Sequence, residues 1–146
     1  MQIAFGQVAI DIYNMGMESL ESYINKHRAN KEKSSSFSEY LDSLIKKYGF
    51  KKDSEVYNKA NISRQNWSLI MSDKVNPSIP TVIKIVFALH ANNHECKYLL
   101  KKAGYTLASS SEYALIIRYC IDNKIYDLNV LNDYLIQYGY KDSLIY

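Results

Sequence analysis

Apolar residues recur every three or four positions through most of this chain, and that spacing predicts amphipathic helices. Between Phe37 and Tyr48 the apolar positions share one helical face. Ser36 and Glu39 form a potential capping box before that face, and Gly49 follows it. Comparable apolar stripes separated by polar breaks continue toward the end of the chain. The pattern predicts an all-α protein of about seven helices.

Several other helix starts are marked by side chains that can cap the free N–H groups of a first turn. These starts are at Ser63, Ser78, Asn92 with Glu95, Ser109 with Glu112, and Asp127 or Asn129. Pro80 suits the first turn after Ser78, because the N–H that proline lacks is not needed there. Upstream, residues 16–28 have helical spacing, and the polar segment 29–35 is predicted to be a linker.

The segment from Met1 to Tyr13 is apolar and rich in residues that favour strands. It predicts a short N-terminal strand or a packing arm. A strand here would need a partner, which the same segment of a second subunit could supply. The segment has no basic start and no small-residue cleavage site, and it is too short to cross a bilayer. The sequence therefore predicts a cytoplasmic protein with no membrane association.

Two short helices joined by a tight turn are predicted within Asp53–Ser78. The turn falls at Asn61 and Ile62, and the second helix opens at Ser63. Helices joined in this way form the helix-turn-helix motif, whose second helix is built to lie in the major groove of DNA. The pattern thus predicts a DNA-binding surface on the second helix.

From Leu44 to Leu100 the order of elements resembles the Xre/Cro-type, or phage-repressor-like, helix-turn-helix domain. Leu44 would lie at the end of its first helix, and Leu100 at the end of its fifth. The tail from Ala103 onward is similar to an extension in small Xre-like proteins of low-GC bacteria and their mobile elements. The resemblance implies three parts: an N-terminal arm and helix over 1–35, a helix-turn-helix domain over 36–105, and a C-terminal helical extension over 106–146 packed on it.

The resemblance implies a transcriptional regulator that places a recognition helix of about residues 63–72 against double-stranded DNA. Its DNA-facing residues would be Ser63, Arg64, Gln65, Asn66 and Ser68. Arginine can bridge guanine O6 and N7, and Gln or Asn can bridge adenine N6 and N7. Lys52, Lys59 and Lys74 would hold phosphates, which position a protein without reading sequence. Trp67 falls where the family places an apolar residue, so it is predicted to pack in the core.

Some positions depart from the family pattern. Asp53 stands where many members carry a Gln that bonds a phosphate, and a carboxylate would repel that phosphate. Tyr57 replaces the usual Ala between the two helices, where its ring should push them apart. Leu69 replaces a polar base reader. Asn61 and Asp73 stand at or near usual glycines, and Asn tolerates a positive φ.

These departures favour an alternative class of function. The same scaffold would serve as a protein-interaction module, such as a phage-encoded inhibitor or an accessory protein of a defence system, because a fold does not determine a function. RNA binding is a third option. Duplex titration and a partner pull-down would separate the first two.

Composition permits nucleic-acid binding without requiring it. The chain has 146 residues, a net charge of +3 and a calculated pI near 8.7. Its three arginines, against fifteen lysines, limit direct reading of guanine. The length is sufficient for a domain with a substantial core.

Candidate catalytic and metal-binding residues are few. Cys96 and Cys120 fall in predicted helices and are interpreted as buried, reduced thiols. His90 and His94 are separated by a predicted break at Ala91, which argues against a shared metal site. The glycines are scattered and form no phosphate loop, and the serine runs suit capping better than nucleophilic attack. The sequence predicts no enzyme, no cofactor and no metal.

The chain contains fourteen tyrosines. Several share helical core spacing and are predicted to be core or boundary residues: Tyr98, Tyr113, Tyr119, Tyr134 and Tyr138. An apolar patch would remain at the C-terminal end if the last helix did not cover a cluster of five residues: Tyr138, Tyr140, Leu144, Ile145 and Tyr146. Because tyrosine is enriched at interfaces, this region predicts a homodimer interface or a surface for a protein partner.

Overall fold

The structure is a computed structural model that describes residues 18–33, 35–108 and 110–146. In these residues the chain forms eight α-helices and no strand, so the predicted all-α class is confirmed. The helices are α1 (Leu20–Lys33), α2 (Phe37–Lys47), α3 (Asp53–Lys59), α4 (Arg64–Met71), α5 (Ile79–Leu89), α6 (Asn93–Lys102), α7 (Glu112–Asp122) and α8 (Leu128–Gln137). The predicted N-terminal strand or arm lies outside the described residues.

The chain divides into two units between Ser35 and Ser36. The first unit contains α1, which continues to Lys33, so the predicted linker over 29–35 is wrong for residues 29–33. No glycine or proline interrupts that stretch, and its alanine, lysine and glutamate residues favour a helix. The second unit runs from Ser36 to Tyr146 and contains the buried hydrophobic core of the described residues.

The core of the second unit is built around α5. Seven of its eleven residues are buried, as is typical of a helix that is apolar on nearly all sides. Ser78 caps this helix by accepting the Thr81 N–H, and Pro80 lies in the first turn, both as predicted. α5 packs against α3 and α6, and α6 packs against α2. Buried residues of all seven helices from α2 to α8 belong to this one core.

Capping residues begin two later helices as the sequence predicts. Asn92 and Glu95 form a complete capping box at α6, in which each side chain bonds the backbone N–H of the other. Asp127, rather than Asn129, caps α8. These caps work through contacts only two or three residues apart, and local sequence is sufficient to predict them.

The predicted start of α7 is wrong by two residues. Its first helical residue is Glu112, so the N-cap falls at Ser111 and not at Ser109. The Ser111 hydroxyl accepts the Ala114 N–H at 3.3 Å, because a cap serves the N–H three residues ahead. Ser109 itself lies outside the described residues.

Glu95 also joins the start of α6 to the end of α2. Its side chain is 4% exposed and accepts hydrogen bonds from Lys47 Nζ at 2.6 Å, the Tyr48 hydroxyl and the Asn92 N–H at 3.0 Å. Burial alone raises the pKa of Glu95, but these hydrogen bonds outweigh it and bring that pKa below its ordinary value. Burial and the contact with Glu95 raise the pKa of Tyr48. We call these four residues the Glu95 cluster.

In the C-terminal part, α7 packs against α6 and α8. Buried Asn132 of α8 bonds both backbone groups of Ile145, at 2.6 and 2.8 Å, and the Ile145 side chain is fully buried. The prediction of core or boundary positions is wrong for Tyr98, Tyr119 and Tyr138, which are 39%, 52% and 55% exposed. A tyrosine can pack one ring edge while its hydroxyl end stays in water. No helix in the described parts of the chain combines the length and apolar character needed to cross a membrane.

Candidate nucleic-acid interface

A short turn from Ala60 to Ser63 joins α3 to α4. Asn61 adopts a left-handed conformation there, with φ of 55°, which asparagine tolerates. The Ser63 hydroxyl caps α4 by accepting the Asn66 N–H at 3.1 Å, so this hydroxyl has a structural partner. α4 packs against both α2 and α3. These contacts determine which side of α4 faces outward.

The inner side of α4 carries Trp67 and Ile70, which are 4% and 1% exposed, so the predicted core position of Trp67 is confirmed. The Trp67 Nε1–H donates to Asp53 Oδ2 at 2.9 Å. The Tyr57 ring lies against the indole, with the ring centroids 5.8 Å apart, while α3 and α4 remain in contact. Asp53 and Tyr57 thus both contact the same buried tryptophan.

The outward side of α4 is formed by Arg64, Gln65, Asn66, Ser68 and Leu69, all exposed; we call it the α4 face. Within the described residues, none of its four polar side chains hydrogen-bonds or pairs with another group. The structure therefore exposes four of the predicted DNA-facing residues, and three of them, Arg64, Gln65 and Ser68, line one groove. The fifth, Ser63, contributes its hydroxyl to the cap instead.

The predicted phosphate-binding lysines are exposed at three points around the two helices. Lys52 precedes α3, Lys59 ends it, and Lys74 follows α4. The Lys59 Nζ lies 3.3 Å from His90 Nε2, and desolvation together with the Lys59 charge lowers the pKa of His90. A neutral imidazole nitrogen can accept from an ammonium group, so Lys59 is held toward the end of α5.

A further lysine near the turn was not predicted from the sequence. The Lys84 Nζ of α5 lies 3.4 Å from the carbonyl oxygen of Asn61, and desolvation lowers the pKa of Lys84. The two residues are 23 positions apart, and only the packing of α5 on α3 brings them together. No local pattern marks this cation, although it lies beside the turn.

A shallow groove of about 500 Å³ follows the α4 face and is lined by Arg64, Gln65, Ser68 and Leu69. Leu69 is 44% exposed, and it supplies the apolar part of the lining. Such a side chain can contact a thymine methyl group in DNA or anchor a protein partner. The groove therefore combines hydrogen-bonding groups with one apolar contact point.

Asp73 holds the end of α4. It adopts a φ of 57°, in the left-handed region that favours glycine. Its Oδ2 accepts the Ser38 hydroxyl proton at 2.6 Å, which ties the exit of α4 to the first turn of α2. Asp73 thus helps to position α4 without lying on the α4 face.

The other candidate chemistry is separated or buried. His90 ends α5 and stacks on Tyr126 with ring centroids 4.4 Å apart, whereas His94 lies in the first turn of α6. Among the described residues, no group of three or more His, Cys, Asp or Glu side chains is arranged to hold a metal ion. Burial raises the pKa of Cys96 to about 12 and that of Cys120 to about 11, so both thiols are protonated at neutral pH.

A scan against protein-family models, a search of curated proteins and a search of solved structures each find no match for this chain. The function of the α4 face is consequently inferred from its exposure, charge and hydrogen bonding.

Proposed function

We propose that this chain binds double-stranded DNA as a transcriptional regulator of the Xre-like class. The observation that carries the proposal is the two-sided character of α4. Trp67 and Ile70 hold its inner side in the core, while its polar outer side chains are exposed and have no partner in the described residues. A helix held in this way can enter a major groove without breaking an intramolecular side-chain bond.

The α4 face carries the side-chain types that read base edges. Arg64 suits guanine O6 and N7, while Gln65 and Asn66 suit adenine N6 and N7. Ser68 can bond either kind of edge, and Leu69 can contact a thymine methyl group. Readout of both purines from one short helix is therefore chemically feasible.

Lysines around the two helices supply the sequence-independent part of binding. Lys52, Lys59 and Lys74 are exposed and can neutralise phosphates, which contributes most of the salt-dependent affinity of such proteins. Lys84 adds a partly buried cation beside the turn. The carboxylate of Asp53 accepts a hydrogen bond from the Trp67 indole, so it has a role in the fold at the position where a phosphate-binding Gln was expected.

We also propose that the regulator acts as a homodimer in the cytoplasm. Regulators with this motif commonly use two recognition helices about 34 Å apart, one DNA turn, to contact two half-sites. The C-terminal region offers exposed aromatic surface at Tyr138 and Tyr146. Such surface suits a contact with a second copy or with another protein.

A titration with mixed-sequence duplex DNA at several salt concentrations tests the proposal. We expect the logarithm of the affinity to fall linearly with the logarithm of salt concentration, with a slope of several counterions. Arg64→Ala should weaken binding about tenfold to the duplexes that the unmodified chain selects from the mixture, because a good base contact contributes about 1–3 kcal/mol. Lys74→Ala should reduce the salt slope by about one.

Arg118→Ala is the matched control for Arg64→Ala. Arg118 is an exposed arginine on α7, outside the α4 face, so its removal changes the net charge equally. We expect this variant to retain the DNA affinity of the unmodified chain. Absence of binding at low salt, or equal losses for the two arginine variants, would contradict the proposal.

Binding of a protein partner is the second candidate function, and Leu69 favours it. Leu69 is an apolar side chain that is 44% exposed in the groove of the α4 face, and a protein partner that covered it would remove this surface from water. A module of this kind would act as a phage-encoded inhibitor or an accessory to a defence system. Its expected pattern is no duplex binding, and a partner complex that is lost in Leu69→Glu or on removal of Tyr146 but retained in Arg64→Ala.

A further inference from the structure

A cleft of about 560 Å³ lies between α6 and α7, with residues 105–107 contributing one wall. Near the start of α6, the Asn93 side-chain amide donates to the Asp122 carboxylate and to the Arg118 carbonyl oxygen. These bonds tie α6 to α7 and hold that end of the cleft. Sites for small molecules commonly have volumes of about 300–1,000 Å³, so this cleft is of suitable size.

The floor of the cleft is apolar. Cys96, Leu100 and Ile117 are 5%, 4% and 2% exposed, and Ala114 beside them is also buried. Half-buried Leu107 adds an apolar wall. Binding of an apolar body to such a surface is favourable, because it removes apolar surface from water. A bare inorganic ion would lose its hydration there without finding hydrogen-bonding partners.

The rim of the cleft carries positive charge. Lys97, Lys101 and Arg118 line it and are exposed. None of the three forms an ion pair with an acidic residue in the described parts of the chain. Asp122, one turn beyond Arg118 on α7, is bonded by Asn93 instead. The rim therefore presents three cations that form no ion pair within the described residues.

We propose that this cleft binds an amphipathic organic anion: an apolar body on the floor, with one carboxylate, sulfonate or phosphate group at the rim. The arginine can hold such a group through two parallel hydrogen bonds, and the lysines contribute as point charges. An extended acidic peptide fits less well, because it would need carboxylates spread along a track. Here the cations line a single pocket with an apolar centre.

The cleft shares no residue with the groove of the α4 face. Anion binding in the cleft and DNA binding by α4 can therefore fail independently, and each is measured with its own ligand.

Anilinonaphthalene sulfonate is a suitable first probe, because it joins an aromatic body to one sulfonate and fluoresces more strongly in apolar surroundings. We expect a saturable rise in fluorescence at one probe per folded chain. Decanoate should displace the probe, and decanol, which has the same chain length without the charge, should do so much less. Added salt should weaken binding of the probe, because the rim is exposed.

Variants at the rim test the role of the charges. Lys101→Gln and Arg118→Gln each remove one exposed charge and should each weaken probe binding about threefold, and together about tenfold. Lys141→Gln is the matched control, since Lys141 is an exposed lysine outside the cleft. This control should bind the probe as the unmodified chain does. Thermal melts of all variants establish that each remains folded.

Three results would overturn the proposal. One is the absence of saturable probe binding to the folded chain. Another is equal displacement by decanoate and decanol with no effect of the rim variants, which would indicate a nonspecific apolar patch. The third is displacement by polyglutamate but not by decanoate, which would identify an acidic-peptide site.

Discussion

The α4 face and the Glu95 cluster are both rich in polar side chains, but their hydrogen bonds go to different places. On the α4 face, Arg64, Gln65 and their polar neighbours are exposed and have no side-chain partner in the described residues. In the Glu95 cluster, a carboxylate that is 4% exposed accepts bonds from Lys47, Tyr48 and the Asn92 backbone. The first arrangement leaves polar groups available to an external ligand, whereas the second holds two helices together.

The contrast has an energetic reason. A buried carboxylate is unfavourable unless donors surround it, and Glu95 has three, one of them charged. An exposed polar side chain is already hydrated, so an internal bond adds little to stability. It can exchange that water for a base edge or a partner group. The location of the partner therefore distinguishes a structural polar residue from a binding one better than residue type does.

The largest expected effect on stability is that of Glu95→Ala. We expect the free energy of unfolding to fall by about 3 kcal/mol, because the Tyr48 hydroxyl and the Asn92 N–H lose their acceptor. Urea denaturation followed by circular dichroism measures the change. Glu112→Ala, at an exposed acid in the first turn of α7, is the control and should cost less than about 1 kcal/mol. Similar losses in both variants would mean that the burial of Glu95 has no special energetic role.

Acidification should destabilise the Glu95 cluster in a related way. The donors around Glu95 bring its pKa below the ordinary value of 4.5 despite the opposing effect of burial. Because the folded pKa lies below the unfolded one, the stability contributed by this carboxylate is present above pH 4.5 and is lost as the pH falls through the folded pKa. Urea midpoints measured from about pH 7 to about pH 3 should fall more steeply for the unmodified chain than for Glu95→Gln. Parallel curves would exclude Glu95 as a source of the acid sensitivity.

Local patterns in the sequence predicted the helices and many of their caps, because those features depend on residues a few positions apart. The capping box of Asn92 and Glu95 is an example. The bonds from Lys47 and Tyr48 to the same carboxylate span 48 and 47 residues, and they exist only because α2 packs against α6. Sequence spacing carries no information on such a contact. The sequence therefore predicted the bonds between Asn92 and Glu95 but not those from Lys47 and Tyr48.

The candidate site follows the same division. The buried position of Trp67 was predicted from the resemblance to the Xre/Cro-type domain, and with it the outward direction of Arg64. The bond from Trp67 to Asp53 was not, since it joins two helices across the turn. Lys84 likewise reaches the turn from 23 residues away. Contacts within the chain do not identify the ligand of the α4 face, so DNA binding stays a prediction.

A smaller stability effect is expected at Asp53, which begins α3 and accepts a hydrogen bond from the buried Trp67 of α4. Asp53→Ala should lower the free energy of unfolding by about 1 kcal/mol, because it removes the acceptor of the buried Trp67 N–H. Asp53→Asn retains an oxygen acceptor and should lie closer to the unmodified chain. Urea denaturation followed by tryptophan fluorescence measures both. Equal stability of the alanine variant and the unmodified chain would mean that this bond contributes nothing.

The smallest stability effect is expected for Arg64→Ala. The Arg64 side chain is exposed, begins α4 and has no partner in the described residues. A cation at a helix N-terminus is slightly unfavourable, so the free energy of unfolding should change by no more than about 0.5 kcal/mol and should rise if it changes at all. The two variants should therefore differ in what they lose. Glu95→Ala should lower the free energy of unfolding, whereas Arg64→Ala should lower the affinity for DNA alone. A stability loss near 1 kcal/mol for Arg64→Ala would instead place Arg64 among the residues that maintain the fold.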